Sequence, residues 1–330
     1  MKAFTNANPR DARHAATLAR QAQLDGRRAV FAGGGSDLLA LVKDGIVAPD
    51  VVIHLGGISG VDRVEASPAG LTIGGLITLD ALSRHDAVRG PFAVLAEAAA
   101  AVATPQIRNV GTLAGNVCQR PWCWYFRNGF ACYKAGGRQC FSVGGENEFH
   151  AIFGGGPSYI VHPSDTAPAL VALDATFQIT GPGGDRTLSS SEFFILPKQN
   201  AARENVLGDD EVLVSVRIPG RRPGVRSTYQ KVMDRETWTH AVVSAAVVLE
   251  LERDICRSAR VVLGGVAPIP WRLEDVEKLL AGQRITDALL RKVGDVAVAG
   301  ARPLSQNAYK VPLTRNLVRR TIADLAARAT

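Results

Sequence analysis

Two glycine-rich segments in the first half of the chain have the composition of phosphate-binding loops. The first, at residues 31–39, reads Phe-Ala-Gly-Gly-Gly-Ser-Asp-Leu-Leu and lies between a predicted strand and a predicted helix. Glycines at such a turn let backbone N–H groups approach a diphosphate, and the start of the helix favours its negative charge. The segment lacks the Gly-x-Gly-x-x-Gly spacing, so it does not indicate a Rossmann dinucleotide site. A tight strand-to-helix turn is the structural alternative.

The second segment, at residues 108–116, reads Arg-Asn-Val-Gly-Thr-Leu-Ala-Gly-Asn. Its small residues alternate with hydroxyl and amide groups that suit ribityl or phosphate oxygens. A third segment, His-Pro-Ser-Asp at 162–165, places a carboxylate where a ribose hydroxyl or an adenine amine could bind, and we interpret His162 itself as structural. Two such loops in one domain favour a diphosphate-containing cofactor over two unrelated turns.

Four of the five cysteines fall within 23 residues, at Cys118, Cys123, Cys132 and Cys140. Such clustering in a chain without a secretory signal indicates metal or iron-sulfur ligation rather than disulfides. The surrounding segment, 119–158, is rich in Cys, Gly, Trp and Arg and shows no sustained periodicity. So long a stretch without regular structure is usually functional, or is held by something other than a core. Cys256 stands apart, and we expect it to be an ordinary buried residue.

Hydrophobic periodicity predicts the elements that position these loops. In the first part of the chain we expect helices at 11–25, 37–41, 78–85, 92–102 and 167–173, and strands at 29–32, 51–55, 71–75, 176–180 and 212–218. A Pro/Gly/Arg hinge at 219–224 marks the predicted domain boundary, which gives domains 1–222 and 223–330. Beyond it we expect an antiparallel sheet from strands at 227–232, 242–251 and 258–266, covered by helices at 273–280, 286–299 and 315–327. The predicted fold class is α+β.

The composition is that of a soluble globular protein of 330 residues, with 46% hydrophobic and 21% charged residues. No apolar run is long enough for a membrane span, and no secretory signal follows Met1. We therefore expect a cytoplasmic protein, or a periplasmic one if a partner's signal exports it. The net charge of +7 fits a solvated basic face, an anionic cofactor or an acidic partner subunit. Nucleic acid is set aside because the aromatic residues are not interleaved with the basic ones.

Five motifs, taken in order, resemble the FAD-binding medium subunit of the xanthine dehydrogenase family of molybdenum hydroxylases. They are Ala-Gly-Gly-Gly-Ser-Asp-Leu-Leu at 32–39, Arg-Asn-Val-Gly-Thr-Leu-Ala-Gly-Asn at 108–116, His-Pro-Ser-Asp at 162–165, Leu-Gly-Gly-Val-Ala at 263–267 and Asn-Ala-Tyr-Lys at 307–310. The resemblance spans nearly the whole chain. It implies a vanillyl-alcohol-oxidase-type FAD-binding domain followed by a carbon-monoxide-dehydrogenase-flavoprotein-type C-terminal domain.

The resemblance also implies which residues bind FAD. Those on the diphosphate are Ala32, Gly33, Gly34, Gly35, Ser36, Asp37, Leu38 and Leu39, and those of the second loop are Asn109, Gly111, Thr112, Gly115 and Asn116. By position, Asp165 matches the adenosine end, whereas Leu213 and Lys231 match residues that flank the isoalloxazine ring. A lysine there would stabilise the reduced, anionic flavin. An ordinary charge at a sheet edge is the alternative for Lys231.

The cysteine-rich insert at 119–158 resembles that of aldehyde oxidoreductases and 4-hydroxybenzoyl-CoA reductase, whose flavin subunit carries an extra [4Fe-4S] cluster. Cys123, Cys132 and Cys140 match three ligand positions, and Ser158 occupies the fourth. Serine is a poor substitute for a thiolate. The fourth ligand is therefore Cys118 or a Ser158 alkoxide, or the cluster is incomplete or absent. Zinc bound by the three cysteines with His150 is the rival metal interpretation.

The function implied by the resemblance is electron transfer within a heterotrimer. A large molybdopterin-binding subunit would oxidise an aldehyde or related substrate, and a small subunit with [2Fe-2S] clusters would pass electrons to FAD on this chain. The FAD would deliver them to an external electron acceptor, so we assign no catalytic acid, base or nucleophile here. Two alternatives remain: a free-standing flavin oxidase of the same fold, and a metal-stabilised interaction module without flavin.

Overall fold

A computed structural model describes residues 2–220, 224–236, 240–253 and 255–328. Its strands are β1 (Thr5–Ala7), β2 (Ala29–Ala32), β3 (Val51–His54), β4 (Val64–Ser67), β5 (Gly70–Gly74), β6 (Thr176–Gly181), β7 (Gly184–Ser189), β8 (Val212–Pro219), β9 (Val225–Val232), β10 (Val243–Glu252), β11 (Ile255–Gly264), β12 (Trp271–Arg272) and β13 (Gln283–Arg284). Its α-helices are α1 (Ala12–Leu24), α2 (Leu38–Lys43), α3 (Leu79–Arg84), α4 (Asp86–Arg89), α5 (Ala93–Ala100), α6 (Pro105–Arg108), α7 (Leu113–Val117), α8 (Trp124–Arg127), α9 (Thr166–Ala172), α10 (Ser190–Phe193), α11 (Glu274–Leu280), α12 (Asp287–Val298) and α13 (Lys310–Ala327).

The first glycine-rich segment begins at the end of β2, a strand of a small parallel sheet with the order β1-β3-β2. Helix α1 begins after Asp11, whose side chain accepts a hydrogen bond from the backbone N–H of His14, as an N-cap should. Its buried alanines pack on Val51 and Ile53 of β3. The glycine-rich turn follows the carboxyl end of β2 and precedes α2.

A second, antiparallel sheet has the order β4-β5-β8-β6-β7 and carries the main core. Helices α5 and α9 contribute fully buried residues to this core, such as Leu95 and Leu170. The sequence predicted the helices at 92–102 and 167–173 that form these elements. It did not predict β4 and β7, which are short and mostly polar. Nor did it predict the two short helices α6, which leads into the second glycine-rich segment, and α7, which begins inside it.

The C-terminal sheet, β9 to β12 with β13 paired to β11, is buried on both faces. Along β10, Ala246 and Val248 belong to the core of the first domain, whereas Val247 and Leu249 pack under the C-terminal helices. Such double burial explains the nearly continuous apolar run of this strand. The predicted boundary at 222 and 223 falls on residues 221–223, outside the described residues.

The cysteine-rich insert is folded more regularly than its sequence suggests. Helix α8 and two short 3₁₀ segments, Tyr133–Ala135 and Phe141–Val143, lie within it. The rings of Tyr125 and Phe130 are 5.2 Å apart, and those of Phe130 and Phe141 are 5.0 Å apart. Phe126, 2% exposed, packs on α2. The expectation that something other than a core holds this segment is therefore wrong in part, because it contains an aromatic core without periodic spacing.

Charged and polar side chains also fasten the insert to the rest of the chain. The Lys134 ammonium lies 2.9 Å from the Glu204 carboxylate, and both side chains are buried. The Asn147 side chain donates a hydrogen bond to the Ser305 hydroxyl and accepts one from the Gln306 backbone. The insert thus bridges the two halves of the molecule. No helix among the described residues is both long and apolar enough to cross a membrane.

Candidate functional site

The two glycine-rich segments lie directly against each other. A Cβ atom on Gly34 would overlap the backbone carbonyl of Val110, and one on Gly33 would lie 2.9 Å from the Thr112 hydroxyl. Gly35 adopts φ +73°, a conformation that favours glycine. The close approach expected at Gly34 is therefore to the backbone of the second loop. Packing of the two loops is thus one reason for glycine at position 34, and its role beside a diphosphate stays a prediction.

A cavity of about 260 Å³, here called the outer cavity, opens along the first loop. The first-loop residues that line it are Ala32, Gly33, Gly34, Gly35, Ser36, Asp37 and Leu38. Thr112, Gly115 and Cys118 close the opposite side. Val30 and Leu41 make one part of the wall apolar, while Arg28 and Arg120 are cationic. The cavity thus combines backbone donors and positive charge with an apolar section.

A second cavity of about 60 Å³, here called the inner cavity, adjoins the first. Ser36, Asp37 and Gln119 line both, so the two form one groove on either side of these residues. The inner cavity is also lined by Asn116, Asp165, Trp122, Val102, Ala103, Pro163 and His240. Residues predicted from three separate sequence segments therefore meet in one groove.

Asp165 is the buried charge of the inner cavity. Its Oδ2 lies 2.7 Å from the Lys231 ammonium, and its Oδ1 accepts a 2.6 Å hydrogen bond from the Tyr229 hydroxyl. Burial raises the pKa of Asp165, although the nearby Lys231 charge acts in the opposite direction. Burial and the Asp165 charge raise the pKa of Tyr229 well above its ordinary value. The Tyr229 hydroxyl therefore stays protonated and donates a hydrogen bond to Asp165.

The contact between Asp165 and Lys231 changes what the sequence implied for them. The resemblance assigned Asp165 to the adenosine end of FAD and Lys231 to the isoalloxazine ring. An extended dinucleotide separates these ends by far more than the 2.7 Å between the two charged groups. The two residues therefore lie at one place in the structure, and their roles toward a ligand stay a prediction. Lys231 is also not an ordinary sheet-edge charge, because its side chain is only 3% exposed.

Asn116 organises the floor of the inner cavity. Its Oδ1 accepts hydrogen bonds from the hydroxyls of Ser164 and Thr166, at 2.6 and 2.7 Å. Its Nδ2 donates to none of the described residues, so this donor is left for a ligand in the cavity that Asn116 lines. The same contacts fix the turn that carries Asp165. Asn116 thereby links the second loop to the third motif.

Five of the predicted binding residues do not line either cavity, and one of them, Lys231, meets the inner cavity only through its contact with Asp165. Leu39 is 49% exposed, and its side chain lies beside Gly35. Asn109 is exposed at the end of α6. Gly111 supports the loop by accepting the backbone N–H of Leu79. Leu213 is 4% exposed within the main core, so its side chain supports the sheet rather than the groove.

The cysteines lie in three different places. Cys118 lines the outer cavity, and burial raises the pKa of its thiol to about 12. Burial raises the pKa of the Cys123 thiol, and the charges of Cys132 and Cys140 act in the same direction. The Cys123 Sγ lies 3.4 Å from Nε2 of His150. No set of three or more His, Cys, Asp or Glu side chains in the described part of the chain is arranged to hold a metal ion. Cys256 is fully buried in the C-terminal core, as expected for an ordinary residue.

Several residues in or behind the groove were not singled out from the sequence, among them Trp122, Arg127 and Tyr229. Trp122 lines the inner cavity, and Arg127 lies over its ring at 4.1 Å. Tyr229 bonds to Asp165. Tyr229 has the strand spacing of a buried residue, two positions before Lys231. The Trp and Arg side chains come from the insert, and their only sequence signal is the aromatic and basic composition of residues 119–127.

The donor set of the groove fits a flavin adenine dinucleotide. Backbone N–H groups of the glycine-rich loop suit a diphosphate, and the Asn116 amide and Ser36 hydroxyl suit ribityl oxygens. The apolar section of the outer cavity suits an adenine ring. Ordinary ligand pockets occupy about 300 to 1,000 Å³, so FAD would need both cavities and would reach the surface of the protein.

Comparisons with known proteins show the family of the chain. The family described as "FAD binding domain in molybdopterin dehydrogenase" matches residues 2–221, and the "CO dehydrogenase flavoprotein C-terminal domain" matches residues 228–325. The aldehyde oxidoreductase FAD-binding subunit PaoB of Escherichia coli is 34% identical, with all of both chains covered. The carbon monoxide dehydrogenase medium chain of Hydrogenophaga pseudoflava is 26% identical over 92% of this chain and 91% of its own.

Solved structures support the same fold. A carbon monoxide dehydrogenase structure from Hydrogenophaga pseudoflava matches with a TM-score of 0.79 at 24% identity, covering 99% of this chain and 98% of that one. The predicted fold class, an FAD-binding domain followed by a flavoprotein-type C-terminal domain, is confirmed. With a family match over two thirds of its length and a full-length relative above 30% identity, the chain belongs to the family of FAD-binding subunits of molybdopterin dehydrogenases.

Proposed function

We propose that this chain is the FAD-binding electron-transfer subunit of a heterotrimeric, molybdenum-dependent aldehyde oxidoreductase. Its partners would be a large subunit with the molybdenum cofactor and a small subunit with [2Fe-2S] clusters. The observation that carries the proposal is the continuous groove whose two ends differ in chemistry. One end is cationic and apolar, and the other is lined by the buried Asp165, which is paired behind the cavity wall with Lys231. The similarity to PaoB supports an aldehyde as the substrate class.

The groove suggests how FAD would lie along it. The adenosine end would occupy the outer cavity against Val30 and Leu41, and the diphosphate would meet the backbone at Gly33 to Ser36. The isoalloxazine end would then reach the inner cavity beside Asp165, the partner of Lys231. This placement would assign Asp165 to the ring end rather than to the adenosine end, and its contact with Lys231 supports that assignment.

Bound FAD stores two electrons and accepts them one at a time, which suits a junction between one-electron carriers and an external acceptor. The protein's own residues bind and orient it. The Lys231 ammonium donates to Asp165 and to the carbonyl oxygen of Ala101 at 2.9 Å, which fixes a positive charge in a buried position. The Tyr229 hydroxyl holds its proton against Asp165 and keeps that carboxylate in place. No side chain of the groove has to act as acid or base toward an aldehyde.

The free-standing oxidase alternative has lost support. The relatives with the greatest coverage are called subunits or medium chains. A complex purified with this chain should contain FAD and molybdenum, and an aldehyde should bleach the flavin absorbance in the absence of an acceptor. Flavin reduction by aldehyde in the purified chain alone would favour the oxidase instead.

We also propose that the insert holds an iron-sulfur cluster through Cys123, Cys132 and Cys140. Support comes from the spacing that these cysteines share with the aldehyde oxidoreductase subgroup. In the described part of the chain the three thiols are not gathered at one point, so binding a cluster would have to draw them together. Ser158 and His150, both buried, are the candidates for a fourth ligand. Cys118 is a weaker candidate, because it lines the flavin groove.

Iron analysis of the complex and of variants tests this second proposal. Cys123→Ser, Cys132→Ser and Cys140→Ser should each lose iron assigned to this subunit, whereas Cys256→Ser should retain it. Cys118→Ser and His150→Ala then separate the candidates for the fourth ligand. Zinc in place of iron, or no metal in the wild-type subunit, would contradict the cluster while leaving the flavin site intact.

A further inference from the structure

The insert places an aromatic ring in the flavin groove. Trp122 lines the inner cavity together with Asn116 and Asp165, although it belongs to the cysteine-rich insert rather than to the glycine-rich loops. Its indole is half-buried, and its ring centroid lies 5.2 Å from that of His240 at an angle of 33°. His240 is exposed and lines the same cavity. Two flat rings therefore stand at the mouth of the cavity.

Trp122 is held in place by a charged side chain. The Arg127 guanidinium lies over the indole at 4.1 Å, and its Nη2 is 2.6 Å from Oδ1 of Asp37. Arg127 also donates to the backbone carbonyls of Pro121 and Arg120, at 2.9 and 3.1 Å. Its side chain is only 8% exposed. Because a guanidinium is planar and always charged, these contacts fix both its plane and that of the indole beneath it.

The same contacts connect the indole to the glycine-rich loop. Asp37 closes that loop, lines both cavities and also accepts the backbone N–H of Arg120 at 3.0 Å. Its carboxylate therefore faces the insert. These contacts explain why the first motif contains an acidic residue. A direct contact of Asp37 with a diphosphate would be unfavourable, because both groups are negatively charged. The position of the indole depends on the loop that would carry the diphosphate.

We propose that Trp122 is a flavin-positioning residue, whose indole contacts the isoalloxazine end of FAD and is fixed by Arg127 and Asp37. This inference rests on the proposed function, since it takes the inner cavity as the ring end of the site. Aromatic rings prefer offset or edge contacts with one another, and such contacts add to affinity beyond the buried area. An indole in contact with a flavin also quenches the flavin's fluorescence by electron transfer.

The chain offers a matched control in Trp124. It lies two positions away in the same insert, is 60% exposed and contacts the rings of Tyr125 and Phe130. It lines neither cavity. Trp122→Leu and Trp124→Leu therefore remove the same side chain from the same segment, inside and outside the groove. Trp122→Phe keeps a ring with weaker electron-donating ability.

The experiment measures FAD binding to the purified full-length chain, and the fluorescence and visible circular dichroism of the bound flavin. Trp122→Leu should weaken FAD binding about 3- to 10-fold, raise the emission of bound flavin and change its visible dichroism. Trp122→Phe should give an intermediate emission, and Trp124→Leu should match the wild type. If Trp122→Leu fails to fold, the Trp122→Phe emission decides the question.

Three outcomes would overturn the inference. Normal FAD uptake with unchanged emission and dichroism in both Trp122 variants would show that the indole does not contact the ring, and the proposed function would survive. A wild-type chain that binds no FAD would overturn the proposed function together with this inference. A lower melting temperature without any change in the bound flavin would mark Trp122 as structural only.

Discussion

The buried pair of Asp165 and Lys231 makes a specific prediction about stability. Their side chains are 5% and 3% exposed, and 2.7 Å separates the charged atoms. Lys231→Met removes the ammonium while keeping most of the apolar length of the side chain. The Asp165 carboxylate then remains in the core with the Tyr229 hydroxyl as its hydrogen-bond donor.

The expected cost is large. Removing one partner of a buried ion pair typically costs about 3 to 5 kcal/mol, because the other charge is left uncompensated. The carbonyl oxygen of Ala101 also loses its donor, which typically costs about 1 to 3 kcal/mol when buried. Since domains unfold at about 5 to 15 kcal/mol, the apo variant should be marginally stable at neutral pH.

The loss of stability in Lys231→Met should depend on pH, and the titration of Asp165 determines whether it grows or shrinks as the pH rises. Burial raises the pKa of Asp165 above 3.8 in the wild type, and losing Lys231 removes the charge that counteracts this rise. A carboxyl group with a raised pKa in the folded state stabilises that state at low pH, and this contribution is lost as the pH rises through the folded pKa. The variant should therefore be less destabilised at about pH 5 than at about pH 8.

Urea unfolding of the full-length chain at both pH values measures this effect. The double variant Asp165→Asn, Lys231→Met provides the control, since it removes both charges and keeps a hydrogen-bond acceptor for Tyr229. We expect it to recover more than half of the stability lost in the single variant, with little dependence on pH. Equal destabilisation at both pH values, together with no recovery in the double variant, would refute the buried-pair reasoning.

Three further predictions concern other parts of the structure. Gly34→Ala should lower the melting temperature and reduce FAD binding together, because a Cβ overlaps the Val110 carbonyl, whereas Gly57→Ala, which has open space around it, should change neither; a Gly34→Ala chain of normal stability would contradict the loop packing. Phe126→Ala should destabilise the apo chain by about 3 to 5 kcal/mol and expose the insert to proteolysis even without iron, and an insert that stays protected would show that its core is unimportant. Burial lowers the pKa of Lys310 to about 7, so the loss of its proton in the folded state should make stability rise with pH between about 7 and 10. Lys310→Met should flatten that rise in thermal unfolding, and an unchanged slope would show that another group causes it.

Much of the scaffold could be predicted because periodic burial dictates it. Helix α1 and strands β2 and β3 lie where alternating or helical spacing places them. The helix α13 starts at Lys310, five residues before the predicted start, because its first turn is anchored by buried polar contacts rather than by apolar spacing. The Lys310 ammonium donates to the backbone carbonyls of Phe149 and Gly265.

The groove itself could be predicted only in part. The glycine-rich loops carry a local signal, and most of their residues line the cavities. The pairing of Asp165 with Lys231 and of Arg127 with Asp37 joins residues more than sixty positions apart, which no local pattern encodes. The core of the insert was missed for a related reason: its aromatic residues meet through irregular turns rather than along one helix face.

The most direct test of the account is anaerobic reduction of the purified complex by an aldehyde, followed at the flavin absorbance. We expect the flavin to be reduced at least as fast as the complex turns over with an external acceptor. In a complex carrying Gly34→Ala, the aldehyde should still reduce the partner subunits' centres while transfer to the acceptor is lost. A complex without FAD, or one whose flavin stays oxidised while the acceptor is reduced at the normal rate, would contradict an electron-transfer role for this chain.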